Sequence, residues 1–342
     1  MPEPAIIFPA DPLNPRRPDP HFAWEARKLR ELGGDHYLVD HDALLAGDAA
    51  EAVRRVPRDR GPLWYRGWMI PSADYAGLAR ALADRGVNLL TSPAGYASAH
   101  ELPGWYDVFE GATPASSWIP LSPTAGGTGP GPGPGAEQLA AAVARLGGHG
   151  PAIVKDYVKS RKHEWDEACY VPELSDLDAV GRVVARFVEL QGEFLAGGVV
   201  LRRYEEFARA GGRGPADGPA HGRAPGGGSG GASGGGGAVG RTEVGTEAGR
   251  DGERAVEARV WWLDGEPVLI GPHPDAPGQT SDPDLTGVSP LVRSLGCRFI
   301  TTDLACRADG SGWRVVEVGD GQVSDLPRGI DASGLLAALL AA

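Results

Sequence analysis

From Ala5 to about residue 90 the chain alternates short apolar runs with amphipathic stretches. Ala5-Ile6-Ile7-Phe8 reads as a strand, and residues 21–32 as a helix ended by Gly33-Gly34. Tyr37-Leu38-Val39 reads as a second strand, followed by a helical stretch near 42–55. Leu63-Trp64-Tyr65-Arg66 gives a third strand, residues 72–85 a helix with Ser72 as cap, and Val87-Asn88-Leu89-Leu90 a return to the sheet. Strand and helix in alternation predict an α/β domain with a mostly parallel sheet covered on both faces. Ligands of such sheets sit at the carboxyl ends of the strands, where Arg66-Gly67 falls. Arg66 there suits either an anionic ligand or a helix carboxylate.

The pattern then changes. Pro123 to Ala136, with a Gly-Pro alternation over 129–135, can hold neither a helix nor a central strand. Pro151 to Val158 reads as a strand, 176–194 as a helix with Leu177, Val180, Val184, Phe187, Val188 and Leu190 on one face, and Gly198 to Tyr204 as another strand. Half of the positions in 211–240 are glycine, a composition expected to be disordered. Beyond it, Glu257–Leu263 and Pro267–Gly271 predict a hairpin around Asp264-Gly265, and Phe299–Ala305 with Trp313–Val318 a second around Asp309–Gly312. The expected organisation is an α/β domain over 1–120, a linker over 121–136, and an α+β domain over 137–342 with mixed or antiparallel sheets, interrupted at 211–240.

Charge usage singles out one segment. The 342 residues include 29 arginines and four lysines, and three of the four, Lys155, Lys159 and Lys162, fall within eight residues. An ammonium is a compact point charge on a flexible stem, suited to a phosphate oxygen. The competing reading is a solvated basic loop. The net charge of −12 argues against a general nucleic-acid or anionic-membrane binder and leaves room for one local basic site. Cys169, Cys297 and Cys306 have no zinc or redox spacing, which fits a reducing cytoplasm. The N-terminal residues show no signal-peptide pattern, and no run approaches the ~18 apolar residues of a membrane span.

Acids inside apolar strands give a second signal. Asp303 and Glu317 flank one turn, so symmetric pairing about Gly310 sets the two carboxylates side by side. Adjacent carboxylates repel, and a shared divalent cation is one remedy. Mg²⁺ suits such oxygens and commonly bridges them to a nucleotide's phosphates, with Asp320 as a third oxygen. Ordinary polarity on a wet hairpin face is the alternative.

In order, the lysine-bearing strand, the strand ending in Glu205, Glu257-Ala258-Arg259 and the Asp303/Glu317 hairpin resemble the ATP-grasp superfamily, most nearly its R-two-K clade. Val154 to Ser160 and Glu317 to Ser324 are the stretches similar to that clade. The resemblance covers 151–330, and residues 1–120 look like the domain that precedes the ATP-grasp fold. It implies that Lys155 and Lys159 contact the phosphates of ATP, that Glu205 accepts from the ribose hydroxyls, and that Arg259 neutralises the transferring phosphoryl group. It further implies Mg²⁺ on Asp303 and Glu317, and Arg203 as a contact for phosphate or an acidic substrate. Two departures stand out. Gly319 occupies the third position of a Glu-x-Asn metal motif, so Asp320 is the substitute, and no lysine precedes Lys155 between 29 and 154, leaving an arginine such as Arg145 for that role.

The implied chemistry is an ATP- and Mg²⁺-dependent ligation of a carboxylate to an amine through an acylphosphate. The substrate is then a small molecule or peptide bearing a carboxylate, with a loop over 156–165 excluding water. His163 or Glu164 is placed to serve as base, or is an ordinary loop residue. A phosphotransferase on the same scaffold, and a non-enzymatic nucleotide- or RNA-binding module using Tyr157 and Trp165 for stacking, are the other readings.

Overall fold

Among the described residues three four-stranded sheets organise the fold. The computed structural model describes residues 4–121, 133–209, 255–274, 281–327 and 329–342. The Gly-rich insertion at 211–240, expected to be disordered, and most of the Gly-Pro stretch lie outside these residues.

The first sheet is built from β1 (Ala5–Asp11), β2 (Asn14–Pro18), β3 (His36–Val39) and β4 (Leu63–Tyr65). β1 is central and parallel to both β3 and β4, and β2 folds back antiparallel on its end. Helix α1 (Ala23–Glu31) carries the chain from β2 to β3. The single helical stretch expected near 42–55 is two short helices, α2 (His41–Leu45) and α3 (Ala49–Ala52). The Asp40 and Asp48 carboxylates cap them, and Gly47, at φ 82°, breaks the run between. After α4 (Ser72–Ala83), the segment expected as a strand at 87–90 makes only the bridge Leu63↔Leu89. The chain then turns at Ser92, whose hydroxyl caps α5 (Pro93–His100), and continues into α6 (Leu102–Phe109). Neither of these two helices was legible in the apolar spacing.

The second sheet has the order β5-β8-β6-β7, from β5 (Ser116–Pro120), β6 (Ala152–Lys155), β7 (Tyr170–Val171) and β8 (Gly198–Arg203), all paired antiparallel. β5 lies in the segment expected to end the first domain, yet it hydrogen-bonds along β8. Helices α7 (Ala136–Arg145) and α8 (Leu177–Gln191) cover one face. Val180, Val184, Phe187 and Val188 of α8 are buried as their spacing predicts, whereas Leu177 at the first turn is exposed.

β9 (Glu257–Leu263), β10 (Glu266–Gly271), β11 (Phe299–Cys306) and β12 (Trp313–Asp320) form the third sheet, in the order β10-β9-β11-β12. Both expected hairpins are present, and the sheet is antiparallel throughout. α9 (Ser289–Leu295) precedes β11, and α10 (Ser333–Ala341) returns to the first sheet. Leu335, Leu336 and Leu339 of α10 are buried with Ile6, Phe8 and Trp64 of the first sheet and Trp261 and Phe299 of the third. Trp64 Nε1 donates to the Leu339 carbonyl at 2.8 Å, so the indole's one donor is satisfied inside this apolar seam.

Candidate active site

Register places the charged groups. Arg259 on β9 is the cross-strand partner of Asp303 on β11, and Asp303 is the partner of Glu317 on β12. Cross-strand partners share a face, so one arginine and two carboxylates line up over three adjacent strands. Arg259 donates from Nε and Nη2 to the two Asp303 oxygens at 2.7 and 2.8 Å, a buried bidentate pair. His273, just past β10, joins them: its Nε2 is 3.1 Å from Arg259 Nη2 and 3.5 Å from Asp303 Oδ2, and its Nδ1 is 3.7 Å from Glu257. Burial pulls the Asp303 pKa upward, but the Arg259 charge, with His273, outweighs it and holds the carboxyl well below its ordinary range.

Lys155 meets this row from the second sheet. It ends β6, and its Nζ donates to Glu317 Oε1 at 3.2 Å. The lysine turn that follows is closed by Asp156, a role that no spacing in the sequence singles out. Its carboxylate accepts from the backbone N–H groups of Val158, Lys159 and Ala196 and from Gln191 Nε2. The Asp156 N–H in turn donates to the Lys159 carbonyl at 2.9 Å. Lys159 is thereby fixed beside Lys155. Burial lowers its pKa, and the Asp156 charge opposes that.

A small cavity opens where the two sheets meet, lined among others by His100, Val158, Arg259, Asp303, Glu317 and Ser324. His100 ends α5 and is neutral, its pKa pushed down to about 3 by burial and by the charges of Lys159 and Lys155. Nothing in the local sequence flagged His100 or His273, because their neighbours come from distant segments.

Several expected contacts fall elsewhere. Asp320 is three residues beyond Glu317 and pairs with Ile300, so strand alternation turns it to the opposite face from Glu317 and Asp303. Its Oδ1 accepts from the backbone N–H and Nε2 of Gln322, and the residue borders the same cavity from that other face. Burial pushes its pKa up to about 7. Arg203 is turned away by the same alternation. Lys155 pairs with Val200 and Ala152 with Arg203, so Arg203 lies on the far face of its sheet and donates to the His149 carbonyl. Glu205 stands in a bidentate pair with Arg314, at 2.8 and 2.7 Å. Arg145 donates to Ser117 Oγ and the Trp118 carbonyl of β5. Arg66 resolves to its second reading. It is buried, pairs bidentately with Glu25 of α1, and donates to the carbonyls of Gly321, Gln322 and Ser324. Arg66, just past β4, thus clamps the turn after β12. Trp165 stacks on Tyr170 at 5.2 Å with Tyr204 edge-on, while Tyr157 is buried. His163 lies exposed on the turn Lys162–Glu164.

Among the described residues no three His, Cys, Asp or Glu side chains converge as a metal site. Two neighbouring carboxylates on one face nevertheless suit Mg²⁺, which takes one or two protein carboxylates and completes its shell with phosphate and water oxygens. Among the described residues no helix is long and apolar enough to cross a membrane.

The chain matches the ATP-grasp domain, R-two-K clade family 3, over residues 145–225 and 237–339, and belongs to that family. Its fold is similar to that of several solved structures. A RimK domain protein ATP-grasp from Sphaerobacter thermophilus aligns with a TM-score of 0.55 and 16% identity over 99% of this chain and 100% of that one. The D-cycloserine synthetase DcsG gives 0.56 and 14% over 98% of both chains. The ATP-grasp ligase PsnB, complexed with precursor peptide PsnA2 and AMPPNP, gives 0.50 and 15% over 98% and 97%. No curated protein matches significantly.

Proposed function

We propose that this chain is an ATP- and Mg²⁺-dependent ligase that joins a carboxylate to an amine through an acylphosphate. One observation carries the reading: Lys155 of the second sheet meets Glu317 of the third beside the Arg259–Asp303 pair, and Glu317, Arg259 and Asp303 line one cavity. Membership of the ATP-grasp family supports it, as does the chemistry printed for two structural neighbours, a ligase acting with a precursor peptide and a synthetase of a small amino-acid-like product.

Lys155 and Lys159 hold the nucleotide's terminal phosphates, and Asp303 and Glu317 hold the ion that travels with them. Bound Mg²⁺ neutralises phosphate oxygens and polarises the transferring phosphorus. A substrate carboxylate oxygen attacks the γ-phosphorus, the bond to the β,γ-bridging oxygen breaks, and ADP leaves. The amine nitrogen then attacks the acyl carbon, inorganic phosphate departs, and the ammonium proton passes to base or solvent. Arg259, held in place by Asp303, supplies fixed positive charge where charge develops, in a site largely closed to water. The acid is a small molecule or a peptide side chain. The three free cysteines suit a reducing compartment.

Hydroxylamine offers a test that needs no knowledge of the natural amine. Incubation with Mg²⁺-ATP, hydroxylamine and a panel of amino acids and acidic peptides should yield a hydroxamate with one acid class, in step with ADP. ADP formed with an acid or alcohol but without hydroxamate indicates a phosphotransferase. Absence of acid-dependent ADP across the panel contradicts the ligase reading.

A further inference from the structure

His100 is the one imidazole in the cavity wall, and the chemistry proposed above leaves it unused. It is 7% exposed, and among the described residues no group hydrogen-bonds its ring. An unpartnered ring in a cavity wall keeps both nitrogens for whatever occupies the cavity. Its position is imposed from behind. The ring packs on Tyr96 at 4.9 Å, and Tyr96 stacks on Tyr75 at 4.1 Å with the planes 4° apart. Tyr96 Oη donates to the Ile70 carbonyl at 2.7 Å and Tyr75 Oη to the Thr91 carbonyl at 2.9 Å, which anchors the two supporting rings. The imidazole is therefore held at the end of a three-ring stack, with two ammonium groups near enough to lower its basicity.

A neutral imidazole presents one N–H donor and one acceptor nitrogen. Arg259 lines the cavity beside the Asp303 and Glu317 carboxylates, and the charges of Lys155 and Lys159 reach His100, a setting for an anion that arrives with its own cation; such an anion's oxygens need donors. We propose that His100 is a catalytic residue that donates a hydrogen bond from its neutral ring to an oxygen of the terminal phosphoryl group of the bound nucleotide, the group that is transferred. This inference rests on the ATP-dependent reading above. A neutral donor has a specific use there. It stabilises negative charge on the phosphoryl oxygens without adding a third cation against Lys155 and Lys159, and its fixed placement removes the need to reorganise during transfer.

The test uses the whole chain labelled with ¹⁵N-histidine and follows the ring nitrogens on addition of Mg²⁺-AMP-PNP or Mg²⁺-ADP. His100→Gln assigns the signal, and His100→Asn serves if the first variant does not fold. The thermal midpoint of each sample reports whether the nucleotide has bound. The expected result is a shift of the His100 nitrogens with AMP-PNP and none with ADP. Alongside it, His100→Phe should weaken AMP-PNP at least about tenfold, the loss of one hydrogen bond to a charged group, and leave ADP within about twofold. A rise in midpoint with AMP-PNP while the His100 signals stay put overturns the assignment and leaves the ATP-binding reading intact. Equal weakening of both nucleotides by His100→Phe reveals a purely structural ring and overturns it too. No rise in midpoint with either nucleotide removes the ATP reading and this inference together.

Discussion

Lys155 and Glu317 lie 162 positions apart in sequence and 3.2 Å apart in space. They join the second sheet to the third, and their burial is unequal: the lysine side chain is 6% exposed and the glutamate 18%. Removal of either partner strands the other, and the more buried survivor suffers more.

Glu317→Ala should therefore destabilise the protein more than Lys155→Met. Both should fall short of the roughly 3–5 kcal/mol typical of a fully buried pair, because Glu317 keeps some solvent. The double substitution should cost less than the two single losses combined. Urea denaturation of the four proteins checks this.

Arg259 and Asp303 are both buried, and Arg259→Met should cost about 3–5 kcal/mol by leaving Asp303 charged without its guanidinium. Asp303 has a folded pKa below its unfolded value, so the pair's contribution is fully present above the unfolded pKa of about 4 and is lost as pH falls below it. The stability gap between wild type and Arg259→Met should hold from about pH 7 down to about pH 4 and narrow in urea titrations below that.

Arg66→Met leaves Glu25 buried without a cation and frees the carbonyls of Gly321, Gln322 and Ser324. A loss of at least about 3 kcal/mol is expected. Glu25→Gln in the same chain should recover part of it, since a neutral amide tolerates burial better than a lone carboxylate. Chemical denaturation of the single and double variants decides whether the clamp is electrostatic.

Asp320 moves the other way with pH. Its folded pKa, about 7, stands above the unfolded value, so between about 4 and 7 the native state binds the proton that the unfolded chain has released. Native stability should fall across that window as pH rises, with this group contributing at most about 1.4 kcal/mol per pH unit. Asp320→Asn should remove that component of the slope. A wild-type urea midpoint with the same pH dependence as the variant between about pH 5 and 8 would count against a buried, protonated Asp320.

The elements were largely legible because their signals are local. The β9–β10 and β11–β12 hairpins follow from alternation and Gly-bearing turns, and α8 from its apolar stripe. The candidate site was legible where one residue type is rare, as with Lys155, or where acids interrupt an apolar strand, as with Asp303 and Glu317. Facing was the weak point. Asp320 sits an odd number of residues from Glu317, so counting by two already sets it on the other face, whereas the facing of Arg203 depends on the Lys155–Val200 register that only the sheet reveals. His100, His273 and Glu25 acquire their surroundings only from tertiary packing, and no spacing along the chain encodes that.

Thermal unfolding with and without Mg²⁺-ATP, on wild type and on Lys155→Ala, tests the central claim most directly. A site-specific ligand at about 100 times its Kd should stabilise the wild type by ~2.7 kcal/mol and raise its midpoint clearly. The account predicts that this rise requires Mg²⁺ and is absent or much reduced in Lys155→Ala, whatever the variant's own starting midpoint. A folded wild type with an unchanged midpoint at millimolar Mg²⁺-ATP, or a rise of equal size in both proteins, would contradict the placement of the nucleotide's phosphates at Lys155.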